Sequence, residues 1–398
     1  MNSVVRQMWE QNPDVVMVDT GNSYEGLCEY VGGKYISYTD EHPITMNPFA
    51  IKREELNIEK IGFLKNLIML IWKGTQGEVT KTEDRLVEQV ITEYFDEYFV
   101  KKRIDNLSFN TFYEYSTVRI PDIIKENNLA GIDLAAYNYL LKDFYKGGSH
   151  ELTLNENLDT KLFDETFIVF EIDSIKDDPL LFPLVTLIIM DVFIQKMRIK
   201  KNRKVLVIEE AWKAIASPMM AEYIKYLYKT ARKFWASVGV VTQEIQDIVG
   251  SPIVKEAIIN NSDVVMLLDQ AKFRERFDEI KAILGLTDVD CKKIFTINRL
   301  ENKEGRSFFR EVFIRRGSVG AVFGVEEPHE CYMTYTTERA EKEALKLYKK
   351  ELQCDHQHAI EAYCRDWELS GISKSLPFAQ KVNQTGHVLH LTPHNQSE

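Results

Sequence analysis

The chain has 398 residues, with 50 Lys and Arg against 61 Asp and Glu, for a net charge of −11. Apolar residues at 44% and charged residues at 28%, with both signs interspersed, exclude a disordered or fibrous chain and leave room for roughly two to three domains. The acidic balance excludes a protein that coats nucleic acid with its whole surface, and the five scattered cysteines (Cys28, Cys291, Cys331, Cys354 and Cys364) fit reduced thiols.

The most apolar stretches, Phe63–Trp72 and Leu180–Met190, fall short of the roughly 20 residues that cross a bilayer. The opening Met-Asn-Ser-Val-Val-Arg-Gln has no basic segment followed by an apolar core. Neither an integral-membrane nor a secreted protein is expected.

In chain order, Val4, Val5, Met8 and Trp9 share a helical face, and Asn12-Pro13-Asp14 stops that helix. Val15–Val18 is a continuous apolar run, as in a strand buried on both faces of a parallel sheet, and it leads into Asp19-Thr20-Gly21-Asn22. A βαβ unit that opens this way wants another strand before it, so the chain reads as beginning inside a domain. Residues 1–50 are thus expected to be the first part of an α/β core.

From 51 to 163 the pattern is helical. Thr80 and Glu83 have capping-box spacing ahead of Leu86, Val87, Val90, Ile91, Tyr94 and Phe95. Further helices are expected over Glu55–Lys73, Asp133–Phe144 and, after Pro121, Asp122–Asn127. This segment reads as an inserted helical subdomain.

Strand and helix alternate again over 164–327. Strands are expected at Phe167–Phe170, Val205–Ile208, Val238–Val241 and Val264–Leu268, with helices at Pro179–Met197 and Met219–Phe234. Phe308–Ile314 and Ala321–Val325 read as a terminal antiparallel pair around Gly317 and Gly320. Apolar strands alternating with helices imply an α/β sheet covered on both faces. Residues 328–398 read as a charged helical extension ending in a polar tail.

The sharpest chemical signal is Lys204-Val205-Leu206-Val207-Ile208-Glu209-Glu210. An apolar strand ending in two carboxylates is the Walker B pattern of P-loop ATPases, in which the first acid holds the Mg²⁺ shell and the second orients and deprotonates the attacking water. An ordinary strand ending in acids would look the same. The next strand runs into Thr242-Gln243, where Gln243 is suited to read a γ-phosphate and Thr242 to cap the following helix. Arg232 and Lys233 end the preceding helix, either complementing its dipole or, for Arg232, reaching nucleotide in a neighbouring subunit.

Four segments in order carry a resemblance: Val18–Phe49, with its Val-Asp-Thr-Gly-Asn-Ser-Tyr and Met-Asn-Pro-Phe; Glu209–Lys213; Ala231–Lys233; and Val241–Gln243. Over roughly Met1–Val325 they resemble the C-terminal ATPase domain of the large ATPases of conjugation and type IV secretion, nearest to the TraG-type proteins of Bacteroidetes conjugative transposons. The resemblance implies a RecA-like P-loop NTPase core of the HerA/FtsK type with an inserted all-helical subdomain. It also implies ATP and Mg²⁺ as cofactors and hexamers docked at the cytoplasmic, inner-membrane face of a conjugation channel. The family's Walker B acids fall on Glu209, where the family usually has Asp, and Glu210. Its glutamine motif falls on Gln243 and its Arg-Lys motif on Arg232 and Lys233.

One family motif is missing: no G-x-x-x-x-G-K-[ST] run occurs in the 398 residues. Gly32-Gly33-Lys34 has Cys28 and Tyr35 at the flanking positions and reads as a turn. The absent loop would supply backbone N–H donors and a Lys to the phosphates. Losing two charge-assisted hydrogen bonds weakens binding by roughly 100- to 10,000-fold. The chain as given is therefore expected to bind ATP poorly and not to turn it over, and a shortened chain or misplaced start is expected rather than an evolved pseudo-ATPase. Two alternatives stay open: a non-catalytic docking module of the transfer machinery, and a HerA/FtsK-like DNA translocase.

The run Lys196, Arg198, Lys200, Lys201, Arg203 and Lys204 is a candidate DNA-gripping surface or a solvated helix end. Arg310, Arg315 and Arg316 are candidate arginine fingers, Arg310 and Arg316 sharing one strand face and Arg315 the other. Cys354, His356, His358 and Cys364 have metal-ligand chemistry, but their spacing matches no closed tetrahedral zinc pattern.

Overall fold

The computed structural model describes residues 1–39, 41–156, 160–210, 218–242, 258–299 and 309–389. The elements in chain order are α1 (Asn2–Trp9), β1 (Asp14–Asp19), α2 (Glu25–Tyr30), β2 (Lys34–Ser37), α3 (Ile58–Lys73), α4 (Lys81–Phe99), α5 (Phe109–Glu126), α6 (Leu134–Leu141), α7 (Glu151–Asn155), β3 (Phe167–Glu171) and α8 (Leu181–Ile199). They continue with β4 (Lys204–Ile208), α9 (Pro218–Thr230), β5 (Ala236–Val240), β6 (Val264–Leu267), α10 (Phe277–Leu284), α11 (Asp288–Ile294), β7 (Phe309–Arg316), β8 (Val319–Glu326), α12 (His329–Tyr335), α13 (Arg339–Leu352), α14 (His356–Leu369) and α15 (Ser375–Thr385).

The chain forms two compact units. One comprises Asp14–Thr20 with Ile36–Ile258, the other Met1–Pro13, Gly21–Tyr35 and Ile259–Glu398.

The first unit is built on a five-stranded sheet of order β2-β3-β1-β4-β5. β1 runs parallel to β3 and β4, and β4 parallel to β5, with Val16 opposite both Ile168 and Leu206, and Leu206 opposite Val238. Every residue of β1, β3 and β4 is buried, which is why these strands are unbroken Val/Ile/Leu/Phe runs rather than alternating ones. α8 is buried along nearly its whole length. Between β2 and β3 the helices α3–α7 form the insert. Thr80 and Glu83 close the expected capping box on α4. Phe49 stacks on Phe112 at 4.8 Å and meets Tyr94 edge-on at 5.8 Å. Sheet residues Val16 and Ile168 and insert residues Leu64, Ile68 and Phe95 belong to one continuous apolar core.

One helix differs from expectation. α5 runs straight through Pro121 instead of restarting after it. Proline removes one backbone hydrogen bond, and the burial of Phe109, Phe112, Ile120 and Ile123 on both sides of it offsets that loss.

The second unit holds the antiparallel sheet β6-β7-β8. β7 and β8 pair around Gly317, which takes φ 58° at the turn. Val264–Leu267 departs from the parallel sheet expected for it and pairs antiparallel with β7. Its residues alternate between exposed and half-buried, and four apolar residues in a row do not by themselves distinguish the two strand types. Arg310 is exposed and Arg315 donates to the Gly285 carbonyl at 3.1 Å, on opposite faces of β7.

The helices α12–α15 enclose a separate core of Leu345, Tyr348, Tyr363, Trp367, Phe378 and Val382. α2 packs on α12 so closely that a Cβ on Gly26 would lie 2.3 Å from the Thr334 carbonyl oxygen, so only glycine fits there. His356 pairs with Glu29 at 3.2 Å and His358 with its own cap residue Asp355, while Cys364 is buried. No helix among the described residues is long and apolar enough to cross a membrane.

Candidate functional site

Because β1, β3, β4 and β5 point the same way, residues leaving their carboxyl ends meet along one edge of the sheet. Open α/β sheets bind ligands at that edge. The Glu209 N–H donates to the Val18 carbonyl at 3.0 Å and the Val241 N–H to the Ile208 carbonyl at 2.9 Å, so the ladder holds one step beyond each strand and fixes both exits.

Three neighbouring exits carry oxygen side chains: Asp19-Thr20 from β1, Glu209-Glu210 from β4 and Thr242 after β5. Asp19 is buried, and Glu209 and Glu210 are half-buried. Glu210 has φ 47°, in the left-handed region that costs a non-glycine residue about 1–2 kcal/mol. Such a turn re-aims the chain abruptly after a buried strand, as active-site turns do. Gln243 lies outside the described residues, as do Ala211, Trp212 and Lys213 of the motif after the strand.

Arg232 and Lys233 are exposed on a short 3₁₀ turn, Ala231–Phe234, at the opposite end of β5. The Lys204 N–H donates to the Trp235 carbonyl at 3.0 Å, which fixes this turn to the amino-terminal edge of the sheet. The intervening strand holds them roughly 16 Å from the carboxylate edge. The fold unites Glu209, Glu210 and Thr242 and keeps Arg232 and Lys233 away from them within one chain.

The expected basic surface is corrected at two positions. Lys196 is wholly buried, with its ammonium 2.9 Å from Asp14 and also donating to the Phe163 and Glu165 carbonyls. Lys204 is 1% exposed and donates to the carbonyls of Lys200, Asn202 and Phe234. Burial pushes the Lys204 ammonium below its ordinary pKa, with nearby Asp14 pulling the other way. Both lysines satisfy backbone oxygens at the amino edge of the sheet. Of the others, Arg198 pairs with Glu59 and Lys200 with Asp164, while Lys201 and Arg203 are exposed.

Sequence reasoning gave Asp19 and Thr20 no role. Sheet order makes them neighbours of Glu209, and no local signal in Val-Asp-Thr-Gly carries strand order. The Thr20 hydroxyl oxygen is buried and has no hydrogen-bond partner among the described residues. Carboxylates and hydroxyls on adjacent strand ends are the hard oxygen donors that suit a water-retaining Mg²⁺. No three His, Cys, Asp or Glu among the described residues converge into a protein-only metal cage.

A parallel sheet with helices packed against it and paired acids leaving an inner strand fits the P-loop NTPase fold class. More particularly, the chain belongs to the TraG P-loop domain family, whose model matches residues 1–367. Protein TraC of Escherichia coli (strain K12) is 22% identical over 297 residues, covering 70% of this chain and 31% of TraC. The chain thus spans about a third of that relative. VirB4 of Thermoanaerobacter pseudethanolicus superposes with a TM-score of 0.60 at 19% identity, over 82% of this chain and 85% of VirB4. The plasmid coupling protein TrwB, solved with ADP and Mg²⁺, superposes with a TM-score of 0.51 at 12% identity, over 82% of this chain and 80% of TrwB.

Proposed function

We propose that the chain is the ATP-hydrolysing domain of a conjugation or type IV secretion motor that powers channel assembly or transfer of DNA or protein. The observation that carries this reading is the pair Glu209-Glu210 leaving the buried strand β4 at the carboxyl edge, with Glu210 turned left-handed. In it, Glu210 takes the proton of the attacking water, while Glu209, with Asp19 and Thr20 beside it, holds the shell of a Mg²⁺. The cation, when bound, neutralises charge on the phosphates. Gln243 reads the γ-phosphate.

Arg232 and Lys233, held at the far edge, serve a neighbouring copy in a ring, which fits a hexamer better than a self-contained monomer. The motor works at the cytoplasmic face of the inner membrane against components of the channel. DNA, where it is touched, meets Lys201 and Arg203 with Lys200 and Arg198 behind them.

The 398 residues contain no G-x-x-x-x-G-K-[ST] run, so turnover requires phosphate-binding donors that they do not supply. The test is MgATP hydrolysis by this chain beside a version carrying such a loop ahead of α1. Turnover by the loop-bearing protein alone, abolished by Glu210→Gln, supports the reading. Equal turnover by both refutes the account of the loop. Absence of turnover in both, under conditions that allow assembly, favours a docking module.

A further inference from the structure

A cavity of about 260 Å³ opens between α3, α8 and α9. It lies among the helices that cover the sheet, and among the described residues no element of the carboxylate edge lines it. A dry cavity of about 150 Å³ already holds benzene, so this one has room for two fused rings.

Its chemistry is specific. The walls include Phe63, Ile194, Tyr223 and Tyr226, with the Phe63 and Tyr223 rings 5.8 Å apart and Tyr223 6.2 Å from Tyr226. At its base the Lys60 ammonium meets Asp191 at 2.7 Å, with the two side chains 7% and 3% exposed. The same Asp191 oxygen accepts from Gln195 at 2.7 Å, and the ammonium lies 4.5 Å from the centre of the Phe63 ring.

Every charge in the lining is answered. Lys60 has Asp191, Arg198 has Glu59, and Glu55 accepts the Lys52 N–H at 2.7 Å. Burial, with Asp191 and Tyr226 nearby, holds the Tyr223 phenol neutral well above its ordinary range. Among the described residues, an anion entering here finds no uncompensated cation to repay its lost hydration. A neutral group with both a donor and an acceptor is matched. An ammonium has three N–H donors, of which Asp191 and the Phe63 ring engage two, and an ionised carboxylate has about four acceptor positions.

Gly62 is the second observation. It lies within α3, where glycine is disfavoured relative to alanine, and a Cβ added to it would meet nothing within 4 Å among the described residues. The residue lines the cavity, and its missing side chain keeps that space open.

We propose that this cavity binds a small neutral aromatic molecule carrying one hydroxyl, its rings against Phe63, Tyr223 and Tyr226 and its hydroxyl on the Lys60–Asp191 pair. The site stands independently of nucleotide hydrolysis. The full chain is titrated with 2-naphthol and with 2-naphthoate, which share a ring system and differ in charge, by calorimetry. The expected result is single-site binding of 2-naphthol with a Kd below about 1 mM and at least roughly tenfold weaker binding of 2-naphthoate. Gly62→Leu, which fills the cavity from the helix side, is expected to weaken 2-naphthol at least about tenfold while helicity by circular dichroism is retained. Absence of saturable 2-naphthol binding overturns the proposal. So does 2-naphthoate binding as tightly as 2-naphthol, a comparison that needs no variant, or a folded Gly62→Leu protein with unchanged affinity.

Discussion

The ammonium of Lys196, fully buried at the carboxyl-terminal half of α8, lies 2.9 Å from the carboxylate of Asp14, the first residue of β1. Asp14 also accepts from the Asn202 side chain at 2.7 Å and stands in register with Lys204 of β4. One acid thereby ties together the amino ends of β1 and β4 and the helix α8.

Removing one partner of a buried pair leaves the other charge uncompensated. Lys196→Ala is expected to cost about 3–5 kcal/mol in urea unfolding, whereas Lys201→Ala, at an exposed site, stays within about 0.5 kcal/mol.

The same burial separates fold from DNA contact. If DNA is held by this run, Lys201→Ala and Arg203→Ala each lower the slope of log affinity against log salt by about one while the protein stays folded. Lys196 and Lys204 variants instead lose soluble protein at every salt concentration, which fractionation and circular dichroism would reveal.

Alkaline pH should loosen the insert. Burial pushes the Tyr94 phenol up to about 12, opposed by its hydrogen bond with the Thr111 hydroxyl and by the Ser108 N–H donated to its oxygen. A pKa raised above the unfolded value of about 10 gives stability that is complete below pH 10 and lost as pH rises through 12. The loss is on the order of 3 kcal/mol, and Tyr94→Phe, which cannot ionise, should flatten that part of the profile measured by denaturant midpoint.

At the carboxylate edge, two substitutions at one position separate chemistry from strain. Glu210→Gln keeps the left-handed turn and its cost, so stability stays within about 0.5 kcal/mol while turnover in a loop-bearing protein disappears. Glu210→Gly also ends turnover but relieves the turn, raising stability by about 1 kcal/mol. A thermal melt of each variant is the measurement.

Gly26→Ala places a methyl against the Thr334 carbonyl oxygen. Overpacking of this kind costs typically 1–3 kcal/mol, so the melting temperature should drop several degrees, with no such drop at Gly32→Ala beyond its turn strain.

What the sequence disclosed followed from periodicity and caps. The buried runs at Val15–Val18, Phe167–Phe170 and Val205–Ile208 and the Thr80–Glu83 box are local patterns, and each appears in the structure as read. Partnership was not local. Val264–Leu267 looks like its parallel counterparts because pairing direction leaves no mark on four residues. Lys196 and Lys204 look like surface cations because nothing nearby in sequence reveals that Asp14, 182 residues from Lys196, is the acid that meets it. Asp19 and Thr20 join Glu209 only through sheet order. Pro121 misled in the other direction, since tertiary burial of α5 overrode a sound local rule.

A segment with its own core can be gained or lost as a detachable accessory. The insert between β2 and β3 is otherwise, because its apolar side chains and those of β1 and β3 form one body. Excising it would strip a face of the sheet bare and leave oil against water. It is a wall of the engine block rather than a bracket bolted to it, and any relative that dispenses with these helices must have rebuilt the covering from other material.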